Sequence, residues 1–148
     1  MGDGSVNGFL AVAIAASFVW LGMVLAISFL EAPLKFRAPG ITIQLGLGIG
    51  RLVFRALHIC EVVLAAVVLA AVVLGKPSAG AVTAVGVAVA ALGAQVLAVR
   101  PALTRRSDAV LADASVAESG RSNAHLVYVG CELIKVGALF TGGILLLR

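Results

Sequence analysis

Four long apolar runs, separated by short polar stretches, organise this chain. The first runs from about residue 8 to 30, the second from 48 to 74, the third from 79 to 99 and the fourth from 124 to 147. Each meets the length of about 20 apolar residues that a helix needs to cross a hydrocarbon core. Helix is the form such runs adopt in lipid, where every backbone N–H and C=O must be satisfied within the segment. They are too long and too evenly apolar for barrel strands. Proline and glycine punctuate the junctions: Glu31-Ala32-Pro33 is expected to end the first helix, Pro39-Gly40 to turn, and Gly75-Lys76-Pro77-Ser78 to link the second and third spans tightly. Arg100-Pro101 is expected to end the third span, leaving polar loops at about 31–47 and 100–123. Ser107-Asp108 is placed to cap a short surface helix within the second loop. The pattern predicts an all-α fold, a single-domain integral membrane four-helix bundle.

Composition sharpens this picture. Of 148 residues, 61% are hydrophobic and 12% charged, against about 45–50% and 25% in soluble domains. The first apolar run lacks a basic flank, having only Asp3 before it, and is too long for the core of a signal peptide, so it reads as a retained span. The net charge of +4 sits beside the spans, with no run of basic residues alternating with aromatics. This argues against nucleic acid and for anionic lipid headgroups as partners of Lys35, Arg37, Arg105 and Arg106.

Eight of the eleven basic residues flank the two larger loops. By the positive-inside rule those loops face the cytoplasm and both termini face out; the expected location is the plasma (bacterial inner) membrane. Small residues at helical spacing, Gly86, Ala90 and Gly93 on span three and Gly130 and Gly137 on span four, are expected to let helices approach closely.

Ionisable residues inside spans are costly in lipid and therefore mark candidate sites. On span two, Arg51, Arg55, His58 and Glu61 share one side of a helix; on span four, His125, Tyr128, Glu132 and Lys135 lie in a narrow arc. The two spans run in the same direction, so opposite charges fall at similar depth. Pairs of the type Arg55–Glu132 and Glu61–Lys135 are expected, because a lone charge in hydrocarbon costs several kcal/mol. Arg51 and Arg55 can alternatively snorkel to the interface. His58 and His125 differ in depth by one to two turns, a poor geometry for a shared haem. His58, Glu61, His125 and Glu132 do not follow the Glu-x-x-His order of di-iron bundles. Met23, Cys60 and Cys131 share no obvious face for copper(I). No cofactor or metal is expected from these patterns.

Three lookalikes fail. Gly46-Leu47-Gly48-Ile49-Gly50 is followed by Arg51 where a nucleotide-binding turn needs its last glycine, and no strand precedes it. Cys131 and His125 are six helical positions apart, about 600° of turn, which does not make a thiol–imidazole pair. No nucleophile elbow or paired carboxylates in a polar pocket are evident, and the loops are too short for a catalytic domain, so enzymatic activity is not expected.

The halves of the chain echo one another. Pro33 follows span one and Pro101 follows span three; Cys60-Glu61 and Cys131-Glu132 follow at 28 and 31 residues. This is compatible with two parallel helical hairpins, in which both glutamates approach the shared axis. Trp20-Leu21-Gly22-Met23, then Glu31-Ala32-Pro33-Leu34, with a last span opening at His125, is similar to small four-span bacterial membrane proteins of unknown function and to the membrane part of copper-resistance-D-like proteins. The resemblance implies a four-helix bundle; its copper connotation does not transfer, because no Met-rich or closely spaced His set is present. The leading functional expectation is a small non-catalytic accessory subunit docked on other membrane subunits. The alternatives are a small ion- or proton-coupled transporter acting as a homo-oligomer, and a haem- or metal-binding membrane protein.

Overall fold

The computed structural model describes residues 7–113 and 123–148, apart from the side chain of Ala124. Every element among them is helical. Four helices form the fold: α1 (Gly8–Lys35), α2 (Ile43–Gly75), α3 (Ala79–Ala112) and α4 (Asn123–Leu146). Their outward faces are apolar; Leu52 and Val73 are each 70% exposed and Leu97 is 80% exposed. So much exposed aliphatic surface on helices long enough to span a bilayer is unfavourable in water and natural in lipid. The chain is a multi-pass membrane protein.

Side-chain oxygens start three of the helices. Asn7 accepts from the Phe9 N–H at 2.9 Å, Thr42 from the Leu45 N–H at 3.1 Å and Ser78 from the Ala81 N–H at 3.4 Å. At the end of α2, Lys76 takes a left-handed conformation (φ 47°), and Ser78 opens α3 two residues later. The α2–α3 link is therefore as tight as the sequence implies.

The helices follow one another around a ring. α1 packs on α2 and on α4, and α4 packs on α3, while the α2–α3 seam is looser. α2 and α4 lie diagonally across the bundle. The end where α1 and α3 finish and α2 and α4 begin, the basic end, carries Arg51, Arg55 and Arg100. At the opposite end Ala13, Ala16, Val68, Ala71, Val72, Ala81, Val85 and Leu146 close a core of small and branched side chains. A second apolar layer, with Trp20, Leu21, Val24, Ala65, Ala88, Leu92 and Leu139, lies beneath it toward mid-membrane.

Two expected boundaries are overturned. Neither Pro33 nor Pro101 ends its helix: α1 continues to Lys35 and α3 to Ala112. In each case the turns just before the proline are π-helical, Leu25–Glu31 and Gln95–Val99. The Ala32 N–H reaches back five residues to Ile27 O, and the Arg100 N–H reaches back five to Gln95 O. A proline inside a helix lacks the N–H that would close the ladder, and its ring crowds the carbonyl four residues back. Widening the preceding turn absorbs both defects, so the helix passes through the proline.

The expected loops shrink accordingly. Ser107 and Asp108 lie inside α3 rather than capping a separate helix. Asp108 instead accepts from Arg51 at 2.7 Å, tying the extension of α3 to the start of α2. Residues 114–122 of the second expected loop, Arg121 among them, lie outside the described residues.

The small-residue stripes do not form the seams of this bundle. Gly86, Ala90 and Gly137 are exposed, and a Cβ added at Gly86, Gly93, Gly130 or Gly137 would meet nothing within 4 Å. Close approach is made elsewhere. A Cβ at Gly142 would lie 3.3 Å from Ala84 Cβ, and one at Gly143 would lie 2.8 Å from the Phe18 ring.

Candidate functional site

Below the second apolar layer, all four helices contribute to one buried polar cluster. Lys135 on α4 is its centre, with no exposed side-chain surface. Its ammonium meets Glu61 Oε1 at 2.5 Å, Glu132 Oε1 at 3.0 Å and Gln95 Oε1 at 2.7 Å. Gln95 Nε2 donates to Glu132 Oε1 at 2.7 Å, and the Trp20 indole N–H donates to Glu61 Oε1 at 2.9 Å. Trp20 comes from α1, Glu61 from α2, Gln95 from α3, and Glu132 and Lys135 from α4. Glu61, Gln95, Glu132 and Lys135 are each at most 1% exposed. In a water-poor interior such charges persist only when paired and hydrogen-bonded.

Glu61 and Lys135 meet across the bundle diagonal, and both glutamates reach the same ammonium. Arg55 and Glu132 do not meet. Arg55 is exposed toward the basic end, whereas Glu132 lies one layer deeper and spends its inner oxygen on Lys135 and Gln95. A guanidinium drawn down to that depth would lose water that no second partner replaces, so it stays at the interface.

Trp20 and Gln95 complete the cluster; the polar stripes of spans two and four did not include them. Gln95 opens the π-helical turn of α3, and that turn sets the register in which its amide faces α4. The available signal was a lone amide in an otherwise apolar span, followed six residues later by a proline.

Between this cluster and the basic end lies a cavity of about 730 Å³, within the range of small-molecule sites, about 300–1,000 Å³. Arg51, Arg55 and Arg100 line it, together with the rings of Phe29, Phe36 and Phe54. His125, exposed at the start of α4, also lines it. His58, Tyr128 and Glu132 are the buried polar side chains that line it. His58 Nδ1 lies 2.6 Å from Phe54 O. The other ring nitrogen, Nε2, has no partner; nor do Tyr128 Oη, Glu132 Oε2 and Ser28 Oγ. The Tyr128 hydroxyl lies near Glu132 and Ser28 but closes no hydrogen bond with either. Four buried polar atoms on three helices thus line one cavity without a closed hydrogen bond. Ser28 belongs to the π-helical turn of α1, as Gln95 belongs to that of α3.

Lys35, expected to face lipid or a partner, turns inward. Its side chain is 10% exposed, its ammonium meets Glu31 at 3.3 Å, and it sits 5.3 Å from the centre of the Phe54 ring. The glycines of α2 make this possible. A Cβ at Gly50 would lie 2.8 Å from Lys35 Nζ, and one at Gly46 would run into the Phe36 ring. The Gly46–Gly50 run is thus a groove for the end of α1, not a phosphate loop. Arg37 and Arg105 are exposed, and Arg106 is half-buried.

Cys60 is exposed and Cys131 half-buried, and both are free thiols. Among the described residues no three His, Cys, Asp or Glu side chains converge as a metal site. No protein-family model, curated relative or solved structure matches this chain.

Proposed function

We propose that this protein is a small membrane carrier that binds a solute in the cavity at its basic end, which faces the cytoplasm. The observation that carries this reading is the set of four unpartnered buried polar atoms on Ser28, His58, Tyr128 and Glu132, all lining that cavity. Leaving such groups dry costs about 1–3 kcal/mol each, so water or a ligand fills the space. The chemistry of the lining defines the ligand class. A carboxylate, an imidazole and two hydroxyls deep in the cavity favour a cationic or hydrogen-bond-donating group. Phe29, Phe36 and Phe54 favour an apolar middle. Arg51, Arg55 and Arg100 favour an anionic group at the mouth. A zwitterionic solute with a short apolar part answers to all three.

The cavity shifts the balance away from a purely structural subunit, because glue between helices needs no polar pocket. The test is binding to the purified protein in nanodiscs, read by thermal shift across a panel of zwitterionic, anionic and cationic small molecules. A zwitterionic compound should stabilise the protein, and Tyr128→Phe or Glu132→Gln should remove that shift. Uptake of the labelled compound into proteoliposomes then separates a carrier from a receptor. If no class shifts the wild type, the carrier reading is wrong.

A second reading rests on a different observation. The exposed faces of α3 and α4 at Gly86, Ala90 and Gly137 leave room for another transmembrane helix. Docking on a larger membrane assembly is compatible with the cavity. It is tested by the mass of the protein extracted in mild detergent.

A further inference from the structure

The charges of the buried cluster do not balance. Glu61 and Glu132 bring two carboxyl groups to one ammonium, that of Lys135. The other groups facing them are the Trp20 indole and the Ser28 hydroxyl from α1, the His58 imidazole from α2, the Gln95 amide from α3 and the Tyr128 phenol from α4. None of these except His58 can supply a compensating positive charge at neutral pH. Arg51, Arg55, Arg100 and His125 are exposed at the cavity wall, with Arg51 paired with Asp108, and Lys35 is paired with Glu31. A carboxylate with at most 1% exposure and no cation of its own is costly in a water-poor bundle.

We propose that the Glu61–Lys135–Glu132 cluster is a proton-binding site, holding one proton on its two carboxyl groups and exchanging it with the basic end through the cavity. One added proton converts one carboxylate to the neutral acid, and the other carboxylate balances Lys135. The arrangement of the oxygens supports this. Both Oε1 atoms face the ammonium, while both Oε2 atoms are without partners.

The two carboxyls differ in access. Glu132 lines the cavity beside Tyr128, and Ser28 and His58 line the same space. Glu61 does not line it; it lies beneath the apolar layers that fill the far end of the bundle. From Glu61 to Gly75 those layers extend about 20 Å along α2 at 1.5 Å per residue. The proton therefore enters and leaves by Glu132, from one side of the membrane only. This is independent of which solute the cavity takes.

The experiment is infrared spectroscopy of the whole protein in an ester-free detergent at neutral pH, in H₂O and in D₂O, with no solute added. The wild type should show the carbonyl stretch of a protonated carboxylic acid, shifted when the solvent is exchanged for D₂O. Glu132→Gln should abolish it, because Glu61 and Lys135 then balance alone; Glu61→Gln should abolish it by the same count. Lys135→Met, if it folds, should increase the band about twofold, since both carboxyls are then unmatched. A wild-type spectrum without the band, as would result if His58 held the proton, overturns the proposal. So does a band that survives both Glu→Gln substitutions, or one that D₂O never shifts.

Discussion

Lys135 shows how far a single side chain commits this fold. It has no exposed surface, and its three partners come from three different helices: Glu61 from α2, Gln95 from α3 and Glu132 from α4 itself. Trp20, the single tryptophan, extends the set to α1. Trp20→Phe removes the donor to a buried carboxyl and also leaves a void where the pyrrole half of a fully buried indole stood, so it should cost at least the about 1.5–3 kcal/mol of a hydrogen bond to a charged group. Denaturant unfolding of the purified protein measures it. Asp108→Ala is the contrast. It breaks an ion pair of 2.7 Å whose side chains are 39% and 58% exposed, and such pairs are worth about 0–1 kcal/mol. The Glu61–Lys135 meeting was legible because two polar stripes at helical spacing on parallel spans fix both face and depth. The Arg55–Glu132 error has the same source: spacing gives the face, but not whether a long side chain turns down into the bundle or up to water.

At the scale of elements, the two π-helical turns carry the site. Each precedes a proline, and each places one polar residue, Ser28 on α1 toward the cavity and Gln95 on α3 toward Lys135. If Pro101 maintains the widened turn, Pro101→Ala lets Gln95–Val99 relax into ordinary helix and swings Gln95 by up to about 100°, one residue's worth of helical rotation. Pro101→Ala and Gln95→Ala should then be non-additive in a double-mutant cycle, because each removes the same contacts. Additive losses would show that the proline and the amide act separately. The sequence gives the positions of both prolines and, through Pro33, Pro101 and the two Cys-Glu pairs, hints at related halves. It does not show that a helix passes through a proline, since that depends on whether the preceding turn can widen.

Across the whole molecule, an apolar half and a polar half are stacked along the membrane normal. Small residues serve the two differently. Gly142 and Gly143 are buried where helices meet, whereas Gly86 and Gly137 face outward. Gly143→Leu drives atoms into the Phe18 ring and should destabilise the isolated protein by about 1–3 kcal/mol, as overpacking does. Gly86→Leu should leave it unchanged within about 0.5 kcal/mol. Thermal unfolding in detergent compares the two. A loss at Gly86 only in the native membrane extract would show that a partner covers that face. Hydropathy marked the four spans because length and apolarity are local properties. The cavity was not legible, because its lining comes from all four helices and depends on how Phe36 and Lys35 seat on the glycines of α2.

In this account Glu132 and its neighbours are reached from the basic end, which we propose faces the cytoplasm, and from nowhere else. Ser28 gives the most direct test, since cysteine is close to it in size and its hydroxyl faces the cavity. With Cys60 and Cys131 replaced by alanine, Ser28→Cys should react with a membrane-impermeant thiol reagent in inside-out vesicles and stay unmodified in right-side-out ones. Labelling from the opposite side, or from neither, would contradict the account.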